Sequence, residues 1–168
     1  MLQNDEAVFI RPNDGYKSFT GNLVYKENWE QSVKLMEYSI ESSISQSIAD
    51  IPKSDLVIVA PPLNITKEYR FFAIDRKIIT GSLYKENGTK KFSNQYPQQA
   101  FDLAQQIIDS TPWQPDPAFS IDICQAYDKY YLLEIGAFSC SGMYHADVTK
   151  IVTAASQLAI KEFNDVAV

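Results

Sequence analysis

The chain has 168 residues, 45% of them hydrophobic and 21% charged, and 15 basic against 21 acidic side chains leave a net charge of −6. That length carries one cored domain or two small lobes, and the acidic balance argues against a protein that grips a nucleic-acid backbone. No apolar run approaches the roughly 20 residues that span a bilayer, and the start, MLQNDEAVFIRPND, lacks the basic and apolar stretches of a secretory signal, so no membrane association is expected.

Ala7–Arg11 is an apolar run ending in a cation and predicts a strand that enters the turn signal Pro12-Asn13-Asp14-Gly15. Ser18–Val24 predicts a returning strand, broken at Gly21-Asn22. From Asn28 to about Ala49 the spacing turns helical, with Val33, Met36, Ile40, Ile44 and Ile48 recurring at threes and fours. Serines at 42, 43, 45 and 47 weaken its last turns. Asp55–Ala60 is almost wholly apolar and predicts an interior strand, stopped by Pro61-Pro62.

After the double proline, Glu68–Asp75 and Lys77–Leu83 predict strands joined by a turn at Asp75-Arg76. Ala100–Ile108 reads as a short amphipathic helix, with Phe101, Ala104, Ile107 and Ile108 on one side. Thr111–Pro117, with three prolines, is a connector. Phe119–Gln125 and Tyr130–Gly136 predict strands about a turn at Tyr127-Asp128-Lys129, followed by a Ser/Gly loop, Ser139–Gly142, and a final helix from about Asp147 to Phe163. The pattern is α+β in two lobes, residues 1–62 and 63–168. Cys124 and Cys140 show no metal-ligand spacing and read as free thiols of a reducing, cytoplasmic compartment.

Four pieces carry chemistry. If the last hairpin closes at Asp128-Lys129, Asp122 and Glu134 come nearly opposite each other and make a hard oxygen site suited to Mg²⁺. Solvated strand residues fit the same pattern. Arg70 alternates with Tyr69 and Phe71, so it shares a face with Glu68 and Phe72. That charged pair must meet water, a partner or a ligand, a surface ion pair being the bland alternative. Arg11 stands at a strand end before a turn that holds Lys17, and fixed cations there suit phosphate. A strand cap and a solvated turn lysine fit the same positions.

The phrases FIRPNDGYKSFTG, EYRFFAIDRKIITGSLY and YYLLEIGAFSCSGMY, spread over nearly the whole chain, resemble an ATP-grasp domain. More narrowly, the chain is similar to an arginine- and lysine-rich clade of predicted amide-ligase-like ATP-grasp proteins. The resemblance implies two α+β lobes, a mainly antiparallel sheet in the larger one, and a cleft for ATP between them. It implies ATP and Mg²⁺ as cofactors, with the metal on Asp122 and Glu134. Arg11 falls where the family usually carries a phosphate-contacting lysine, and Lys17 would close over the β- and γ-phosphates. Glu68 and Arg70 fall beside the nucleotide, Arg70 and Lys17 being the catalytic cations. Val57, Ile58, Val59 and Ala60 run where the family's hinge backbone reads the adenine edge.

The implied reaction is ADP-forming, ATP-dependent carboxylate–amine ligation through an acyl-phosphate, on small-molecule carboxylate and amine substrates. The alternative is a non-catalytic nucleotide-binding or interaction module. Two departures stand out. Glu134-Ile135-Gly136 replaces the family's Glu-x-Asn and leaves the number of metal ions open. The chain also begins almost directly at the first ATP-grasp strand, so a minimal protein, a truncated product and an enzyme needing a partner or a missing N-terminal domain are all open. Acceptor specificity is expected from loops around Tyr84–Gln95 and Ser139–Tyr144.

Overall fold

Alternating side chains build two antiparallel sheets in this chain, and a computed structural model describes residues 7–13, 21–29 and 56–166. The chain divides into two compact units, Met1–Leu63 and Asn64–Val168. Lys17 and nearly all of the helix predicted over 28–49 lie outside the described residues.

In the first unit, β1 (Ala7–Pro12) pairs antiparallel with β2 (Asn22–Tyr25) on one side and β3 (Val57–Ala60) on the other. Ile10 and Val24 are buried, and Arg11 lies opposite Ile58. Tyr25 leads into a 3₁₀ turn, Lys26–Asn28. The expectation of an interior strand at the DLVIVA run is corrected. Among the described strands β3 has one neighbour and forms an edge, with Val59 55% exposed. An apolar run reports a preference for burial, but the number of flanking strands is set by topology.

The second unit holds β4 (Ile65–Ile74), β5 (Lys77–Glu86), β6 (Thr89–Ser93), helix α1 (Gln98–Ser110), β7 (Ala118–Ala126), β8 (Lys129–Ala137) and helix α2 (Val148–Val166). The strands form one antiparallel sheet in the order β6-β5-β4-β7-β8. Its three hairpins turn on Asp75-Arg76, Asn87-Gly88 and Tyr127-Asp128, all six residues having positive φ. Such turns match the right-handed twist of the strands. The stretch Tyr84–Gln95 is therefore not a loop. β5 continues to Glu86 and β6 returns from Thr89, a hairpin whose Asn-Gly signal stands in the sequence but whose Lys- and Glu-rich flanks lack strand character.

The two faces of this sheet differ. One carries Tyr69, Phe71, Ala73, Ile78, Leu83, Phe119, Ile121 and Ile123 against Ala100, Ala104 and Ile108 of α1. Phe71 is fully buried, edge-on to Tyr96 and Phe101. Arg76 closes the C-terminal end of α1, donating to the carbonyls of Ile108, Thr111 and Pro112, which supplies partners that a helix end lacks. The other face is apolar only at one end, where Phe72 and Ile74 meet Ala146 and Ile151, with Leu158 packed alongside. Asp147 Oδ1 accepts the backbone N–H of Lys150 and caps α2. Among the described residues no helix is long and apolar enough to cross a membrane.

A Cβ added at Gly81 would stand 2.3 Å from Phe71 Cδ1 and 3.0 Å from the Arg70 carbonyl oxygen. Gly81→Ala is expected to lower stability by about 1–3 kcal/mol through overpacking, and Phe71→Leu in the same chain to restore part of it, as read by denaturant unfolding. The thiols supply a second check. Cys140 is exposed, whereas Cys124 is buried, its thiol pushed up to about 11 by burial, with Glu68 adding to the shift. A thiol reagent at pH 8 should modify Cys140 rapidly and Cys124 only after unfolding; equal rates would contradict this packing.

Candidate functional site

The polar remainder of the second face is assembled by register. Across β5, β4, β7 and β8 one row reads Ser82, Arg70, Asp122, Glu134, each directly opposite the next. The row toward the hairpin turns reads Lys90, Lys85, Glu68, Cys124 across β6, β5, β4 and β7. On the opposite flank lie Thr80, Phe72, Ser120 and Gly136. A register shift between β4 and β5 leaves Tyr84 without a paired residue, as a β-bulge does.

Arg70 and Asp122 form a fork. Arg70 Nε donates to Asp122 Oδ1 and Nη2 to Oδ2, both at 2.8 Å. The Tyr84 hydroxyl donates its single proton between Glu68 Oε2, at 2.7 Å, and Asp122 Oδ2, at 3.2 Å. Lys85 Nζ lies 2.8 Å from Glu68 Oε1. The surface ion pair considered between Glu68 and Arg70 is therefore corrected: Arg70 takes the buried Asp122, and Glu68 takes Lys85. Sequence reasoning put Arg70 and Asp122 in separate roles, and the register joins them.

Asp122 is 3% exposed. Burial raises its carboxyl above the ordinary aspartate range and Glu134 adds to that, while the Arg70 fork and the Tyr84 hydroxyl pull it back down. The same fork raises the pKa of the Arg70 guanidinium, against the effect of burial, so the cation is permanent. Burial, followed by the charge of Asp122, pushes the Tyr84 phenol far above its usual range, so it remains a donor.

Rings wall the fork. Tyr84 stacks on Tyr144 at 5.2 Å between centroids, and Tyr144 on Phe92 at 5.3 Å. The Arg70 guanidinium carbon lies 5.4 Å from the centroids of both tyrosines, within cation–π range. Tyr144 sits in the left-handed region at φ 49°. Its segment is tied to the sheet by the His145 N–H donating to Ser82 Oγ and by the Ser141 hydroxyl donating to Ser120 Oγ. Tyr84 and Tyr144 were legible only as two of ten tyrosines, because a bulge and a left-handed backbone leave no period in the sequence.

The structure thus brings Glu68, Arg70, Asp122 and Glu134 to one polar face. Arg11 and Val57–Ala60 lie in the sheet of the first unit. Gly136 lies opposite Ser120, and a Cβ there would stand 2.8 Å from Ser120 Oγ. That position accepts a side chain only if Ser120 moves.

Among the described residues no group of three or more His, Cys, Asp or Glu side chains is placed to hold a metal. The two carboxylates that the register sets opposite each other are Asp122 and Glu134. Three of the roughly four lone-pair directions of the Asp122 carboxylate are taken by Arg70 and Tyr84, which leaves room for one contact. Mg²⁺ is commonly held by one or two carboxylates with phosphate oxygens and water completing the shell. The pair fits Mg²⁺ brought with a phosphorylated ligand.

The fold is similar to the solved D-alanine–D-alanine ligase from Bacillus anthracis, at a TM-score of 0.55 and 13% identity, covering 91% of this chain and 50% of that one. It is also similar to the ATP-grasp ligase PsnB complexed with minimal precursor, at a TM-score of 0.51 and 13% identity, covering 89% of this chain and 47% of that one. The chain therefore spans about half the length of these solved structures. No curated protein matches it in sequence. Residues 2–154 match the family described as the ATP-grasp domain, family 2 of the R(2)K clade, and the chain belongs to that family.

Proposed function

We propose that this chain is an ATP-dependent carboxylate–amine ligase-like protein, ADP-forming, that works through an acyl-phosphate. The observation that carries the reading is the row Arg70, Asp122, Glu134: a permanent cation and two carboxylates, in register on one rigid face. Family membership supports it.

In this reading Arg70 faces the transferring phosphoryl group and offsets the negative charge that spreads over its oxygens. Asp122 holds the guanidinium in place through both oxygens, so little reorganisation accompanies the reaction. Glu134 and the remaining Asp122 contact would hold Mg²⁺, which when bound would supply Lewis-acid neutralisation of phosphate charge. Arg11 and Lys17 contact phosphate, the Val57–Ala60 backbone reads the adenine edge, and Glu68 keeps Tyr84 and Lys85 in place beside the nucleotide. A carboxylate oxygen of the substrate attacks the γ-phosphorus as the bond to the β-phosphate oxygen breaks, releasing ADP. An amine then attacks the acyl carbon, phosphate leaves, and the amine loses its proton to give the amide.

A second reading, a non-catalytic nucleotide-binding or interaction module, is favoured by one observation. Asp122 is already committed to Arg70 and Tyr84, which limits what it can offer a metal.

Thermal unfolding with Mg²⁺-ATP tests both readings. Wild type at 100 times the dissociation constant should gain about 2.7 kcal/mol, and Glu134→Gln should lose most of that gain while folding normally. No shift in wild type would remove the ligase reading and leave only the interaction module, whereas a shift without ADP release across amine and carboxylate mixtures selects a non-catalytic nucleotide binder. Arg70→Ala is a poor activity probe, because it strands a buried carboxylate at a cost of about 3–5 kcal/mol. Adding Asp122→Ala should restore part of that stability. Arg70→Lys keeps the charge but loses the fork, and is expected to lower ADP release by at least tenfold with a smaller loss of melting temperature.

A further inference from the structure

The β5–β6 hairpin is a basic island in an acidic chain. Lys85–Lys91 holds three lysines and one glutamate in a protein of net charge −6. Glu86 is engaged by Lys91 and, at 3.6 Å, by Lys67. Lys85 and Lys90 stand directly opposite each other on adjacent strands. Like charges so placed repel unless each has a counter-ion, and the two lysines are not equally provided for.

Their partners differ. Lys85 turns inward to Glu68. Lys90 is exposed and makes no ion pair among the described residues. Phe92 lies two residues along β6, hence on the same face, and ends the ring stack that runs through Tyr144 to Tyr84 over Arg70. An uncommitted cation, a second cation opposite it and an apolar wall therefore stand together at the β6 edge of the polar face.

We propose that Lys90, with Lys85 opposite and Phe92 beside it, forms an anion-binding point that takes the carboxylate or phosphate group of a small-molecule acceptor. That the anion belongs to an acceptor rests on the ligase reading; the anion site stands on the hairpin alone. An anion here meets the Lys90 ammonium directly, with Lys85, already paired to Glu68, adding positive charge from the neighbouring strand. Phe92 on the same face offers the ligand an apolar contact.

The test is an amide NMR titration of the full chain at low salt without nucleotide, once with inorganic phosphate and once with glutarate. Saturable shifts at Lys85, Lys90 and Phe92 are expected with at least one probe, and the responding probe identifies the anion class. Lys90→Glu should weaken that binding at least tenfold, Lys90→Arg should keep it, and Lys129→Glu on β8 should leave it unchanged. Lys90 is exposed, so a dispersed spectrum is expected for each variant. Shifts at Lys90 no larger than at Lys129, or Lys90→Glu binding as wild type, would overturn the proposal. Since no nucleotide is present, failure here is separate from failure of the Mg²⁺-ATP shift, and each reading can fall alone.

Discussion

A carboxylate removed from water in the middle of a sheet is tolerated only when a cation and further donors replace its hydration shell. Asp122 is in that position on β7, and Arg70 on β4 meets it with two parallel hydrogen bonds. The fork also disciplines the sheet. Moving either strand by one residue would turn Arg70 or Asp122 into the apolar layer against α1 and bring Phe71 or Ile121 onto the polar face. Register, core and site are thus one constraint: the arrangement that buries Phe71 under α1 also brings Arg70, Asp122 and Glu134 into line.

The same register sorts charge across the face. Lysines occupy the β6 and β5 side, carboxylates the β7 and β8 side, and Arg70 sits among them with Tyr84 bridging Glu68 and Asp122. Each buried polar atom of the network has a partner, so the group behaves as a unit and its members do not contribute additively. The rings of Tyr84, Tyr144 and Phe92 cover part of it. A face with fixed cations, a donor that keeps its proton and two facing carboxylates suits a polyanion that arrives with its own metal ion. In the proposed ligase reading the chemistry rests on position and charge, as phosphoryl transfer does.

Much of this was legible beforehand, and the reasons are specific. The turn at Asp75-Arg76 and the strands on either side of both turns follow from period-two alternation around turn residues. The facing of Asp122 and Glu134 was expected from closure at Asp128-Lys129. The turn falls at Tyr127-Asp128, where unbroken alternation would oppose Asp122 with Leu133, and a register shift between Asp122 and Ile123 brings Glu134 opposite instead. The helix over Gln98–Ser110 follows from its periodic apolar side. The β5–β6 hairpin was not legible, because its strands are lysine- and glutamate-rich and exposed, so no burial pattern marks them. The edge position of Val57–Ala60 escaped for the opposite reason, since an apolar run resembles an interior strand whatever its neighbours.

The sequence by itself determined the family, through the resemblance of three of its phrases, and the α+β character with the alternation of β4 and β7, because alternation and turn chemistry are local properties. Only the tertiary structure decided that Arg70 belongs to Asp122 and Glu68 to Lys85, that Tyr84 bridges the two carboxylates, and that Lys90 stands opposite Lys85 with no counter-ion among the described residues. Those pairings depend on which strands become neighbours and on one-residue shifts in their register. Both are settled by packing the whole sheet, and no stretch of sequence contains them.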